Sequence, residues 1–158
     1  MDNRPTWHEY FMQMAYLAAK RSTCLRRAVG AALVRDNQLI STGYNGSPKN
    51  SPHCAEVGCL REQQNVPSGQ KHELCRGVHA EQNAIIQAAI NGSSTRNSVL
   101  YCTHQPCSIC ARLIINAEIR EVYIANAYPD DLAEQLFREA GIGMYYIDLQ
   151  DKELKRLI

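Results

Sequence analysis

The sequence predicts an α/β domain, and three features carry that prediction. Short apolar runs at 29–34, 39–43, 99–102, 122–125 and 144–147 have the length and composition of strands. Helix-forming stretches precede the first run and alternate with the later ones. The connection Arg35-Asp36-Asn37-Gln38 is too short for a crossover, so the first two runs form an antiparallel hairpin. The resulting order, α-β-β-α-β-α-β-α-β, implies a sheet that opens as a hairpin and continues with parallel strands covered by helices. A chain of 158 residues suits one domain with a real hydrophobic core.

Taken in order, Thr6 and Glu9 have capping-box spacing. Trp7, Tyr10, Phe11, Met14, Leu17 and Ala18 then recur at helical spacing, predicting a helix over 7–22 whose aromatic stripe packs in the core. His8 falls on the polar side and is expected in solvent. The hairpin strands are Val29 to Val34 and Leu39 to Gly43. His79 to Asn91 is rich in helix formers and stops at Gly92. Val99 to Cys102 reads as a strand, and Cys107 to Ala117 as a helix opened by Pro106. Val122 to Ala125 is a strand, Asp131 to Ala140 a helix closed by Gly141, and Met144 to Ile147 the last strand. The tail 148–158 is expected to add a short charged helix. The stretch 44–78 shows no sustained periodicity, and so long a loop in a compact domain needs an explanation. It carries Cys54, Cys59, His72 and Cys75, so metal clamping supplies one.

Composition excludes several classes. Apolar residues make up 45% and charged residues 21%, with a net charge of +1, which gives no global attraction to nucleic acid or anionic membrane. No apolar run approaches the roughly 20 residues that span a bilayer, and residues 1–9 lack the apolar core of a signal peptide. The 7 cysteines then point to reduced thiols and metal binding in the cytosol rather than to disulfides.

The chemistry sits in His79-Ala80-Glu81 and Pro106-Cys107-Ser108-Ile109-Cys110. Either motif alone is weak: C-x-x-C is often a structural half-site or a redox pair, and H-x-E on a helix is usually solvated surface. Together they give three good zinc ligands, His79, Cys107 and Cys110, and one carboxylate not needed for coordination. Structural zinc sites are usually closed by four protein ligands, whereas catalytic sites keep one position for water. If His79 opens one helix and the two cysteines the next, all three ligands come from helix N-termini, where thiolates are favoured. Zinc held this way makes a water nucleophilic near neutral pH, and Glu81 can move its proton. The motif pair is the general signature of zinc nucleobase deaminases. Asn45-Gly46 reads as a turn pair, and Gly43 with Gly46 would let backbone approach a ligand closely.

On these motifs the chain resembles the cytidine deaminase superfamily, and within it the dCMP deaminases. Further matching segments are Val29-Gly30-Ala31, Ser41-Thr42-Gly43-Tyr44-Asn45-Gly46-Ser47-Pro48, Gln82-Asn83-Ala84, Ala89-Ile90-Asn91-Gly92 and Tyr128. The resemblance implies a three-layer α/β/α fold around a mixed five-stranded sheet, forming a single zinc-dependent deaminase domain over 1–158. It implies hydrolysis of dCMP to dUMP and ammonia, feeding dTMP synthesis in the cytoplasm. It also implies a homohexamer activated by dCTP with Mg2+ and inhibited by dTTP, with no nucleic-acid or membrane partner.

Carried onto this sequence, Glu81 is the catalytic residue and Asn45 a contact to the substrate sugar. Gly46 and Ser47 become nucleotide contacts, of substrate or effector, and Tyr128 stands at the site rim. Asn83 either faces the site or caps locally. Some relatives hold a second, structural zinc, whose matching positions here are Cys24, Cys54 and His72. Gly77 falls where a fourth ligand is expected, and Cys75 offers a replacement, with Cys59 and then His53 as competitors. Cys102 is expected to be plain core, His104 to be either pocket wall or not, and Arg26 and Arg27 either to meet phosphate or, as charges after a helix end usually do, to face solvent. A non-enzymatic zinc-stabilised module is the rival from another class, and Glu81 speaks against it.

Overall fold

The computed structural model describes residues 3–158. A 6-stranded sheet runs in the order β2-β1-β3-β4-β5-β6. Its strands are β1 (Gly30–Arg35), β2 (Gln38–Tyr44), β3 (Val99–Cys102), β4 (Glu121–Ile124), β5 (Gly143–Ile147) and β6 (Leu154–Arg156). The hairpin β1–β2 is antiparallel, β1 pairs β3 antiparallel, and β3, β4 and β5 run parallel. Asp36 and Asn37 both have left-handed backbone, with φ of 51° and 57°, as a tight type I′ turn requires. The α/β/α reading therefore holds, with one strand more than expected.

The extra strand replaces the helix anticipated in the tail. Asp148 Oδ1 accepts hydrogen bonds from the amides of Gln150 and Asp151, and this turn reverses the chain. Leu154 to Arg156 then pair antiparallel with β5. Local turn chemistry at Asp148 outweighs the helix propensity of the charged tail.

Three helices cover one face of the sheet: α4 (Ala80–Ile90), α5 (Ser108–Asn116) and α6 (Asp131–Ala140). Helix α1 (Trp7–Ala19) covers the other, over Ala32, Val34, Val99 and Tyr101. Glycines set how closely the helices approach the hairpin. A Cβ on Gly30 would stand 1.9 Å from the Ala15 carbonyl oxygen, and one on Gly43 would stand 2.1 Å from that of Ala80. The strand pleat sends these glycines to opposite faces, so α1 and α4 press on the hairpin from opposite sides.

This close approach also corrects the reading of α1. Its capping box forms as expected, with Thr6 and Glu9 bonding each other's backbone amides. Its buried face is Phe11, Met12, Ala15 and Ala19, while Trp7, Tyr10 and Leu17 are exposed. With Gly30 beneath it, the helix turns its small residues to the sheet and most of the aromatic stripe outward. His8 is not simply solvated either: its Nδ1 lies 3.0 Å from the Tyr101 hydroxyl and its ring 4.5 Å from that of Tyr123.

The stretch 44–78 contains two short helices, α2 (Cys54–Val57) and α3 (Leu60–Gln63), and a 3-10 turn at His72–Leu74. Among the described residues, no helix is long and apolar enough to cross a membrane.

Candidate metal centre and nucleotide cavity

His79 is the N-cap of α4 and Cys107 the N-cap of α5, with extended backbone at both. Gln82 fixes the first, its side chain accepting a hydrogen bond from the His79 amide at 2.8 Å. Asp130 fixes the second. One carboxylate oxygen accepts from the Ser108 amide at 2.9 Å, and the other from the Ala133 amide at 3.0 Å, so it caps α5 and α6 together.

The three expected ligands meet at these helix ends. His79 Nδ1 is 3.3 Å from Cys110 Sγ and 3.6 Å from Cys107 Sγ. Ligand atoms around a tetrahedral zinc stand roughly 3.5 Å apart, given its usual bond lengths. Among the described residues, this is the one group of His, Cys, Asp or Glu side chains that gathers so tightly, within 4.8 Å. The donor set of one imidazole and two thiols therefore fits zinc. The thiols are not equivalent: hydrogen bonding with Cys110 pushes Cys107 down to about 4, and the same contact pushes Cys110 up. Glu81, in the first turn of α4, is 5% exposed, and burial raises its carboxyl above its ordinary value. A buried carboxyl that holds its proton more tightly is suited to taking up and returning one. Cys102 is fully buried beside it, where burial and the Glu81 charge keep the thiol neutral.

A cavity of about 450 Å³ opens onto these groups, lined by His79, Glu81 and Cys107 together with Asn45, His104 and Tyr128. That volume suits a ligand of nucleotide size. Asn45 holds the wall in shape: its Oδ1 accepts from the Val29 amide and the Ser22 hydroxyl, and its Nδ2 donates to the Arg27 carbonyl. Tyr128 sits under Arg27, whose guanidinium carbon lies 4.8 Å from the ring centroid. Its hydroxyl fills the space a side chain on Gly69 would take, where the backbone has φ of 78°. His104 borders the cavity with Nδ1 2.9 Å from Thr103 Oγ1, and burial lowers its pKa.

Other expected contacts stand elsewhere. Asn83 donates to the Tyr44 carbonyl at 2.7 Å and does not line the cavity, so its side chain ties α4 to the end of β2. Ser47 is likewise outside the lining, and its buried hydroxyl lacks a partner. Gly46 lines the cavity, but Asn45-Gly46 is not a left-handed turn: Gly46 runs extended and exchanges both backbone hydrogen bonds with Val78. Gly43 serves the approach of α4, not of a ligand.

The loop thiols are grouped more loosely. Cys24, Cys54, Cys59 and Cys75 all border the same cavity. Burial raises Cys54, and the charges of Cys75, Cys24 and Cys59 add to it. His72 instead packs against His79, with ring centroids 5.3 Å apart, and its buried Nδ1 has no partner. His53 caps α2 in an exposed position. Sequence reasoning left Arg26 and Arg27 between phosphate contact and solvent, with solvent the more usual place; both line the cavity, as does Arg61 from α3. Nothing in a single sequence marks an arginine as inward-facing when it follows a helix end.

Residues 5–126 match the family described as the cytidine and deoxycytidylate deaminase zinc-binding region. ComE operon protein 2 of Bacillus subtilis is 40% identical over 149 residues, covering 94% of this chain and 75% of that protein. Deoxycytidylate deaminase of Schizosaccharomyces pombe is 41% identical over 142 residues, 89% of this chain, which spans only 44% of that longer protein. Among solved structures, dCMP deaminase of the cyanophage S-TIM5 in complex with dCMP and dUMP matches with a TM-score of 0.76 and 27% identity. That match covers 92% of this chain and 100% of the phage chain. With the metal ligands converging as its signature requires, the chain belongs to the cytidine and deoxycytidylate deaminase family.

Proposed function

We propose that this protein hydrolyses dCMP to dUMP and ammonia. The observation that carries the reading is the buried Glu81 beside the His79, Cys107 and Cys110 group, at the wall of a nucleotide-sized cavity. A structural zinc site has no use for such a carboxylate. Zinc, when bound, supplies the Lewis acidity that makes a water nucleophilic near neutral pH. His79, Cys107 and Cys110 hold the metal and leave one position open. Glu81 takes one proton of the attacking water and passes it to N3 of the cytosine ring; it then takes the remaining hydroxyl proton of the C4 adduct and delivers it to the amine, which leaves as ammonia as the C4 carbonyl forms. Tyr128, His104 and the Asn45 segment wall the cavity around base and sugar.

Two finer elements belong to the same reading. The first is a second, structural zinc held by Cys24, Cys54, Cys59 and Cys75. Its support is the proximity of these thiols to Cys54, and the amides of Arg26 and Gly77, which point at the sulfurs of Cys24 and Cys75 at 3.4 Å each. Backbone amides of this kind stabilise thiolates. With His72 packed on His79, Cys59 is the better fourth ligand. The second element, inherited from family resemblance alone, is the regulated homohexamer, activated by dCTP with Mg2+ and inhibited by dTTP.

The test is ammonia release from dCMP, CMP, deoxycytidine and cytosine, with and without dCTP, beside Glu81→Ala. Selective turnover of dCMP, lost in the variant while zinc and fold remain, is the expected result. Unchanged turnover in Glu81→Ala would refute the assigned role, and silence of the native protein on all four would refute the substrate.

A further inference from the structure

The loop 125–130, between β4 and α6, brings Tyr128 to the cavity wall without a helix or strand to hold it there. Hydrogen bonds fasten it at both ends and in the middle, and all of them reach the segment 103–108 that bears Cys107. At one end Asn126 donates from Nδ2 to the Thr103 carbonyl at 2.6 Å. At the other, Asp130 accepts from the Ser108 amide. Between them Gln105 Oε1 accepts from the Tyr128 amide at 3.1 Å, while the Gln105 amide donates to the Asn126 carbonyl at 2.9 Å.

Gln105 is 6% exposed and lines the cavity. Its side chain has one acceptor oxygen and one donor nitrogen, and burial makes either costly to leave unpaired. Both are used. Nε2 donates to Glu134 Oε1 at 3.2 Å, and the other oxygen of Glu134 meets Arg138 Nη2 at 3.3 Å. Glu134 stands in the first turn of α6, so a helix fixes which way the carboxamide faces. A carboxylate can only accept, so the nitrogen turns to Glu134 and the oxygen to Tyr128. A residue that merely walled the cavity would need no such direction.

The ring carried by that backbone is closely bounded. The Arg27 guanidinium carbon lies 4.8 Å from its centroid, and its hydroxyl occupies the space of a Cβ on Gly69, which would stand 2.0 Å away. A displaced Tyr128 backbone therefore moves the ring relative to the cavity instead of being absorbed by loose packing.

We propose that Gln105 is a positioning residue for substrate binding: backed by Glu134, it sets Tyr128 against the nucleotide and ties this rim to the loop that carries Cys107. This rests on the reading of the cavity as a nucleotide deaminase site.

The experiment measures KM and kcat for dCMP, zinc content, and exchange of the Tyr128 amide proton by NMR. It compares native protein, Gln105→Leu, Gln105→Glu, the pair Gln105→Glu/Glu134→Gln, and Tyr128→Ala with and without Gln105→Leu. Gln105→Leu should raise KM roughly 10-fold, with kcat within about 3-fold of native, because Glu81 and the metal ligands are untouched. Zinc content should not change, and the Tyr128 amide should lose its protection from exchange. Gln105→Glu sets two carboxylates against each other and should raise KM at least as much. In the pair, the introduced amide donates to the introduced carboxylate, which still accepts from Tyr128, so KM should return to within about 3-fold of native. In the Tyr128→Ala background, Gln105→Leu should add less than about 2-fold to KM, since both changes act through one ring.

An unchanged KM in folded, zinc-loaded Gln105→Leu overturns the role and leaves the substrate reading intact. Zinc loss with a matching fall in kcat overturns it too, by making Gln105 a support of the metal loop alone. If Gln105→Leu does not fold, the pair decides, and failure to recover the KM lost in Gln105→Glu overturns the role. If the native protein does not deaminate dCMP, the substrate reading fails and amide exchange decides: protection of Tyr128 that depends on Gln105 keeps the positioning role for another ligand of the cavity, and protection independent of it overturns the role.

Discussion

Two groups of sulfur ligands border one cavity, and they are built differently. His79, Cys107 and Cys110 are held by helix ends that are themselves capped, by Gln82 and by Asp130, and their ligand atoms gather within 4.8 Å. Cys24, Cys54, Cys59 and Cys75 sit on loops and one-turn helices and do not gather as tightly. The first site is preorganised by secondary structure. The second would be organised by its metal, because short helices and loops offer little rigidity of their own. With the proposed second zinc, folding would build the reactive centre and metal binding would hold the wall beside it.

The largest test of this contrast removes one ligand from each site. Cys110→Ala should lose one zinc per chain and at least about 1,000-fold in deamination, with the fold retained, since the α/β/α core does not need the ion. Cys54→Ser should lose the other zinc and lower Tm by about 5–10 °C, with a much smaller change in turnover. Metal analysis, circular dichroism melting and ammonia release read all three quantities. If Cys54→Ser keeps two zinc ions and its Tm, the loop site is wrongly assigned. If Cys110→Ala unfolds, the first site is not preorganised.

The same difference explains what could be read from the sequence. His79, Glu81, Cys107 and Cys110 were legible because helix geometry converts fixed spacing into fixed position. The hairpin was legible from Asp36-Asn37 and the short connection. The face of α1 was not, because the apolar pattern shows a helix but not which residues a glycine on a neighbouring strand, Gly30, will admit. Nor was β6, where an Asp148 turn decided the outcome. His72 packs against His79, a contact the sequence did not reveal because a loop carries no periodicity to orient its side chains. Arg61 was invisible for a related reason: a buried cation looks in sequence like any exposed one until its neighbours are known.

A smaller effect separates the two glycines of the segment 43–46. Gly43→Ala puts a Cβ against the backbone of α4, 2.1 Å from Ala80 O and 2.5 Å from Ala84 N, atoms that can move only with the helix. The helix carries His79 and Glu81, so the variant should lose about 1–3 kcal/mol of stability and disturb catalysis as well. Gly46→Ala meets the Thr23 side chain at 2.8 Å, which can rotate away. It should cost less than about 1 kcal/mol. Urea unfolding of both variants orders them, and equal losses would show that α4 is not tightly seated on the hairpin.

The smallest expected effect lies far from the metal, on the α1 side of the sheet. Tyr101, Tyr123 and Tyr145 stack across β3, β4 and β5 with ring centroids 5.0 and 4.9 Å apart. Burial pushes Tyr101 from 10.0 to about 12 and raises Tyr123 further. The folded state thus holds these protons more tightly than the unfolded chain does, so their contribution to stability is complete below pH 10. It is lost as pH rises from 10 to about 12, where the unfolded tyrosines ionise first. Tyrosinate absorbance from Tyr101 and Tyr123 should therefore appear only above pH 10, as the sheet opens. Tyr123→Phe should reduce the alkaline loss of stability, because phenylalanine packs in the ladder with nothing to ionise. A single titration step near pH 10 with the fold intact would show that this face is open to solvent, and that rigidity is confined to the side of the sheet carrying the metal centre.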